Sequence, residues 1–209
     1  MQRIKMPLGV IQTNCYLLNN EDQVLIIDPG AESNKIINKI TELNSKPVAI
    51  LLTHAHFDHI GAVEEICNHY QIDVFVSEIE KYWLSDPVKN GSEKFKAFNI
   101  PPISTGVKPK ILQKGKMKMK SFEFEVRHTP GHSPGSMSFI FEDFAIVGDT
   151  LFKDSIGRTD LYEGNHQQLI NSINESLLSL DESMVICPGH GDETTVQREM
   201  DLNPFLNGF

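Results

Sequence analysis

Four side chains able to bind metal fall between residues 54 and 59, in the run Thr53-His54-Ala55-His56-Phe57-Asp58-His59. In an extended segment, residues two apart point the same way, so His54 and His56 can share one ion. Where the chain then turns into a helix, Asp58 and His59 can face a second. Neutral imidazoles and carboxylates suit zinc, and also iron or manganese. Burying this many polar groups without an ion would be costly.

Three further segments supply matching parts. They are His128-Thr129-Pro130-Gly131-His132-Ser133, Gly148-Asp149-Thr150 and Pro188-Gly189-His190-Gly191. The seven ligand candidates are therefore His54, His56, Asp58, His59, His132, Asp149 and His190. They suffice for a pair of three-ligand pockets with Asp149 available to bridge. His128 is expected to be an outer partner of a ligand or a structural histidine, because metal-bound imidazoles need such partners. His69 and His166 are expected to face solvent.

Each ligand segment must be held at the end of a structural element. Short apolar runs rich in β-branched or aromatic residues precede all four: Val48-Leu52, Phe122-Val126, Phe144-Val147 and Met184-Cys187. Tyr16-Leu18, Val24-Ile27, Val74-Val76 and Met137-Phe141 read as strands too. Asn19 to Asp22 and Glu142-Asp143 read as hairpin turns. Ser33 to Leu43, with Ile36, Ile37, Ile40 and Leu43, has helical spacing, as do Ala62 to Tyr70 and Gln167 to Leu180. The interleaving predicts an α/β sandwich with mixed sheets and helices outside. Ligand loops at strand ends are where α/β enzymes place their sites. The stretch from Glu80 to Pro109 has no period and is expected to be a lid or an irregular connection with one short helix. In Lys114 to Lys120, lysine alternates with smaller or apolar residues, which predicts a hairpin strand with a wet lysine face.

The formal charge is −9 and the pI about 5.3, which argues against a surface made to hold nucleic acid or anionic lipid. Cys15, Cys67 and Cys187 match no metal or Cys-x-x-Cys spacing and read as buried reduced thiols. No signal peptide and no membrane-length apolar run is visible, so the expected address is cytoplasmic.

The order His-x-His-x-Asp-His, Gly-His, Gly-Asp-Thr and Pro-Gly-His-Gly resembles the metallo-β-lactamase superfamily. Ile26-Ile27-Asp28-Pro29-Gly30 matches an early element of it. The resemblance runs from about residue 10 to the end. It implies a single domain over residues 1–209, a four-layer αββα sandwich with two mixed sheets and outer helices. Residues 128–133 and Ser155-Ile156-Gly157-Arg158-Thr159-Asp160 are similar to glyoxalase II. The tail, with Glu193-Thr194-Thr195, Glu199 and Asn203-Pro204-Phe205-Leu206, is similar to its short relatives. By that similarity His54, His56 and His132 hold one metal, Asp58, His59 and His190 the other, and Asp149 bridges two divalent ions, zinc first, with iron or manganese as alternatives.

The implied activity is hydrolysis of S-lactoylglutathione-like 2-hydroxyacyl thioesters by a hydroxide shared between the metals, with Asp58 orienting it and taking its proton. Glyoxalase II proper carries a further helical domain that helps bind glutathione, and this chain ends nineteen residues after His190. Arg158 stands where that family has a basic glutathione contact. The rival within the fold is a persulfide dioxygenase, which holds one iron with the equivalents of His54, His132 and Asp149. The complete Pro188-Gly189-His190-Gly191 motif and the tail favour the hydrolase. Lactonase and β-lactamase activities are other hydrolytic options. The expected partner is a small-molecule thioester, with no nucleic acid or membrane, and the expected state a monomer or small homo-oligomer.

Overall fold

The computed structural model describes residues 1–98 and 101–206. Two compact units emerge, Met1–Leu112 with Lys118–Phe122, and Gln113–Met117 with Glu123–Phe209.

The first unit is built on a six-stranded mixed sheet in chain order, β1 (Gln2–Leu8), β2 (Thr13–Asn20), β3 (Gln23–Ile27), β4 (Lys46–Leu51), β5 (Val74–Val76) and β6 (Lys110–Ile111). The first three strands form an antiparallel meander, and β3 to β6 run parallel. Parallel neighbours need a crossover, and helices α1 (Ser33–Glu42) and α3 (Val63–Tyr70) supply two of them. Ile36 and Ile40 of α1 and Val63 and Ile66 of α3 pack with Leu17, Ile26 and Ile50 in one buried cluster. Their four- and three-residue spacing puts each pair on one face of its helix.

β1 is an element the apolar pattern does not single out. Its residues Arg3-Ile4-Lys5-Met6-Pro7 are only partly apolar and include a proline. The strand exists because all seven of its residues pair with β2. It is an edge strand of this sheet, where proline is tolerated.

Residues 80–109 contain two short 3-10 turns, Trp83–Ser85 and Ser92–Phe98. Asn90 is fully buried and ties the stretch together. Its Nδ2 donates to the carbonyls of Trp83 (3.0 Å) and Ile103 (2.9 Å), and its Oδ1 accepts from the amide of Ser92 (3.0 Å). Trp83, Leu84, Ser92 and Thr105 are buried with it. The segment is therefore a packed irregular connection. Residues 99–100, also within the expected lid, lie outside the described ones.

The second six-stranded mixed sheet has the order β14 (Thr194–Thr195), β13 (Val185–Pro188), β10 (Phe144–Gly148), β9 (Met137–Ile140), β8 (Phe122–His128) and β7 (Gly115–Met119). β10 and β13 run parallel, while β9 is antiparallel to both β8 and β10, and β14 to β13. A two-stranded ribbon, β11 (Leu151–Phe152) with β12 (Ser155–Ile156), follows β10. Helix α4 (His166–Ser172) passes into a π turn at Ile173–Leu177, so the expected helix to Leu180 changes its winding midway. Leu169, Ile173 and Leu177 still share a buried cluster with Ala145, Val147 and Ile186. Helix α5 (Val196–Leu202) starts at Thr195, whose hydroxyl accepts from the Arg198 amide.

The α/β class with two mixed sheets is as expected. β7 leaves Lys116 and Lys118 exposed, as the alternation predicts. Lysines on an edge strand also discourage pairing with another chain. The three cysteines are free and buried. Burial, with Asp73 and Glu64 adding to it, pushes the Cys67 thiol up to about 11.

Candidate metal centre

In the first unit the ligand run begins where β4 ends. His54 lies between β4 and helix α2 (Phe57–Ile60), and His56, in extended backbone (φ −68, ψ 150), is the residue just before that helix, which carries Asp58 and His59. His54, His56 and His59 are buried and Asp58 is nearly so. Ligand atoms of His54 and His56 come within 4.8 Å of one another, as do those of His54 and His59 and of Asp58 and His59.

Asp28 organises this group. It follows β3 with φ 51, a left-handed conformation that Asp tolerates better than most residues. Its Oδ1 accepts from the Thr53 amide (2.8 Å). Its Oδ2 accepts from the Thr53 hydroxyl (2.6 Å) and lies 2.9 Å from Nδ1 of His59. A carboxylate only accepts here, so His59 carries its proton on Nδ1 and turns the lone pair of Nε2 outward. The Thr53 hydroxyl has spent its one proton on Asp28. It therefore accepts from Nδ1 of His54 at 3.1 Å, which leaves a lone pair on Nε2 of His54 as well. A relay through Asp28 and Thr53 thus sets two imidazoles, His54 and His59, in the form that can bind metal.

Nε2 of His59 stands 3.3 Å from Oδ2 of Asp58, an oxygen that also accepts from the Thr13 hydroxyl at 2.7 Å. Two electron-rich atoms at that distance call for a cation. Close backbone packing holds the geometry. A Cβ on Gly30 would lie 1.5 Å from the carbonyl oxygen of Asp58, and one on Gly61 would lie 2.3 Å from that of Gly30. Only glycines allow the turn after β3 to press against the ligand helix.

In the second unit His132, Asp149 and His190 follow β8, β10 and β13. Nδ1 of His132 donates to the backbone carbonyl of Arg158 at 2.9 Å, so its Nε2 also presents a lone pair. That atom lies 3.6 Å from Oδ2 of Asp149, and Nε2 of His190 lies 3.5 Å from the same oxygen. The chain after β12 comes close enough to supply that carbonyl because Gly157 has no side chain. A Cβ there would lie 1.9 Å from the Asp149 carbonyl oxygen. Carboxylates beside histidines such as His54, His59 and His132, whose Nδ1 is occupied and Nε2 presented, fit a divalent metal in both units.

The remaining expectations resolve plainly. His128 is structural, its Nε2 2.9 Å from the Pro134 carbonyl across the ligand loop. His69 and His166 are exposed. The Arg158 guanidinium is exposed and held at both ends by Asp160, with Nε to Oδ1 and Nη2 to Oδ2 each 2.7 Å. That hydrogen-bonded carboxylate raises the pKa of the guanidinium. Thr13 and Glu80 are outside the motifs, and nothing in their local sequence marks them. Asp28 stands in a recognisable run, but its role needs the fold.

The sequence pattern described as "Metallo-beta-lactamase superfamily" matches residues 8–190. The chain is 47% identical to a probable metallo-hydrolase, YqgX, of Bacillus subtilis over 210 residues, covering 98% of this chain and 97% of that one. It is 37% identical to the hydroxyacylglutathione hydrolase GloC of Haemophilus influenzae, covering 97% and 96%. Among solved structures, BLEG-1, a B3 metallo-β-lactamase, superposes with a TM-score of 0.94 at 42% identity, covering 99% of this chain and 100% of that one. TTHA1623 in a di-iron-bound form gives 0.84 at 35% identity, covering 97% and 100%. With the ligand run inside the matched span, and with relatives alike over nearly their full length, this chain belongs to the metallo-β-lactamase superfamily of metal-binding hydrolases.

Proposed function

We propose that this chain is a thioesterase that hydrolyses 2-hydroxyacyl thioesters of the S-lactoylglutathione type. In this reading it holds two divalent ions with His54, His56, Asp58, His59, His132, Asp149 and His190. The observation that carries the metal chemistry is the fixed tautomer of His59, with Nδ1 on Asp28 and Nε2 facing the Asp58 carboxylate. The substrate class rests on the hydroxyacylglutathione hydrolase relative, which this chain matches over 96% of its length.

Bound there, two divalent ions would bring the pKa of a water near neutrality and polarise the thioester carbonyl. The protein's own part is positional. Asp58 takes the proton of the attacking water at its carboxylate, and the Thr13 hydroxyl holds that carboxylate in place. The C–O bond forms, the C–S bond breaks, and the proton leaves with the thiol. Zinc is the first candidate, but the donor set equally suits iron, the metal in the TTHA1623 structure. The net charge of −9 argues against a polyanionic substrate such as nucleic acid. No helix among the described residues is long and apolar enough to cross a membrane.

The test is thiol release from S-lactoylglutathione by metal-loaded and chelator-stripped protein. Metal-dependent release is expected. No release with metal bound rejects this substrate. In that case ring opening of a β-lactam, or oxygen uptake with glutathione persulfide, separates the lactamase from the dioxygenase.

A further inference from the structure

Glu80 is completely buried, and its Oε2 accepts a 2.7 Å hydrogen bond from the backbone N–H of Ala55. Ala55 is the residue between His54 and His56, and the bond reaches it from 25 positions along the chain. Burying a carboxylate is expensive unless hydrogen bonds compensate, so a bare packing role would suit an apolar side chain better. The same short stretch touches the ligands a second time. The Trp83 amide donates to the Glu80 carbonyl at 2.8 Å, and the Trp83 ring centre lies 5.9 Å from that of His56. The Glu80 amide is tied to the Ser77 carbonyl at 3.1 Å, which fixes where its side chain starts.

The geometry of the ligand pair explains why the Ala55 amide is worth gripping. Two imidazoles two residues apart aim at one ion only while the backbone between them stays extended. The Ala55 peptide is the pivot. Ala55 lies beyond β4, which has ended at Leu51. The 2.7 Å bond from the Ala55 amide to the Glu80 carboxyl oxygen takes the place of a strand neighbour.

We propose that Glu80 is a positioning residue of the metal centre, its carboxylate setting the Ala55 peptide so that His54 and His56 converge on the same ion. This rests on the reading that the two histidines bind metal. The experiment is Zn²⁺ competition with a chromophoric chelator on metal-stripped wild type, E80A and E80Q. Co²⁺ absorption spectra and melting of the metal-free proteins accompany it. Wild type is expected to take up Zn²⁺, and E80A to bind it more weakly by about tenfold to hundredfold with an altered Co²⁺ spectrum. E80Q is expected to stay near wild type, because its amide oxygen can still accept from Ala55. Unchanged affinity and spectrum in E80A overturn the proposal, even if its metal-free form melts lower. Equal losses in E80A and E80Q also overturn it. Failure of wild type to bind Zn²⁺ overturns the underlying metal reading instead. Should E80A not fold, E80D keeps the charge but withdraws it by one methylene and carries the same comparison.

Discussion

The Nδ1 of His59 lies 2.9 Å from Oδ2 of Asp28, with both side chains closed off from solvent. Asp28 also takes the amide and hydroxyl of Thr53, so one carboxylate serves three donors. An amide in its place would keep the volume but leave a single acceptor oxygen. Asp28→Asn is therefore expected to weaken metal binding by about tenfold to hundredfold while the protein still folds. Chelator competition checks this. Affinity equal to wild type would show that the relay does not set the tautomers.

His59→Ala and Asp149→Ala each remove a ligand of the proposed two-ion site. Each is expected to lower bound metal below two per chain and to abolish thiol release from S-lactoylglutathione. Elemental analysis and the release assay read the two effects separately. Near-normal turnover in either variant would sink the two-metal reading.

Gly157→Ala tests the close approach that lets Arg158 present its carbonyl to His132. The added Cβ would meet the Asp149 backbone at 1.9 Å and stand 3.2 Å from the His132 Cβ. Backbone cannot give way like a flexible side chain. A destabilisation of about 3 kcal/mol or more is expected, which is roughly 6–12 °C in Tm at about 2–4 °C per kcal/mol. A melting curve within about 2 °C of wild type, by the same conversion, would refute the stated packing.

Arg158→Ala separates side chain from main chain at one residue. The bond to His132 uses the carbonyl, and the guanidinium engages exposed Asp160. Metal content is expected to stay at the wild-type level. Should the guanidinium contact an anionic thiol moiety, KM rises while kcat holds. Lost metal would contradict the backbone assignment.

Alkaline pH offers a check away from the metal. Burial raises the Cys67 thiol from its usual 9.0 to about 11. A pKa raised on folding means that the stabilisation is complete below pH 9 and is lost as pH climbs towards 11. Wild type is expected to lose Tm over that window, and Cys67→Ala to lose less. Identical slopes would show that this thiol does not contribute.

The candidate metal ligands and the elements that carry them can be read from the residues alone. His54, His56, Asp58 and His59 are legible because their spacing is local and their residue types are unusual for a strand end. His132, Asp149 and His190 are legible because an apolar run precedes each one. The apolar strands and amphipathic helices follow from periodicities that two or three turns of chain already contain.

Which nitrogen His59 and His132 present follows from the fold and not from local spacing. His59 is set by Asp28, 31 positions away, and His132 by the Arg158 carbonyl, 26 away. Ala55 is gripped by Glu80, 25 away. The pairing of β1 with β2 and the π turn after α4 belong to the same class. A hydrogen-bond partner across the fold is chosen by which surfaces pack together, and packing depends on the whole chain at once. Residue spacing could therefore name candidate ligands, but the groups that orient them became visible only when distant segments met.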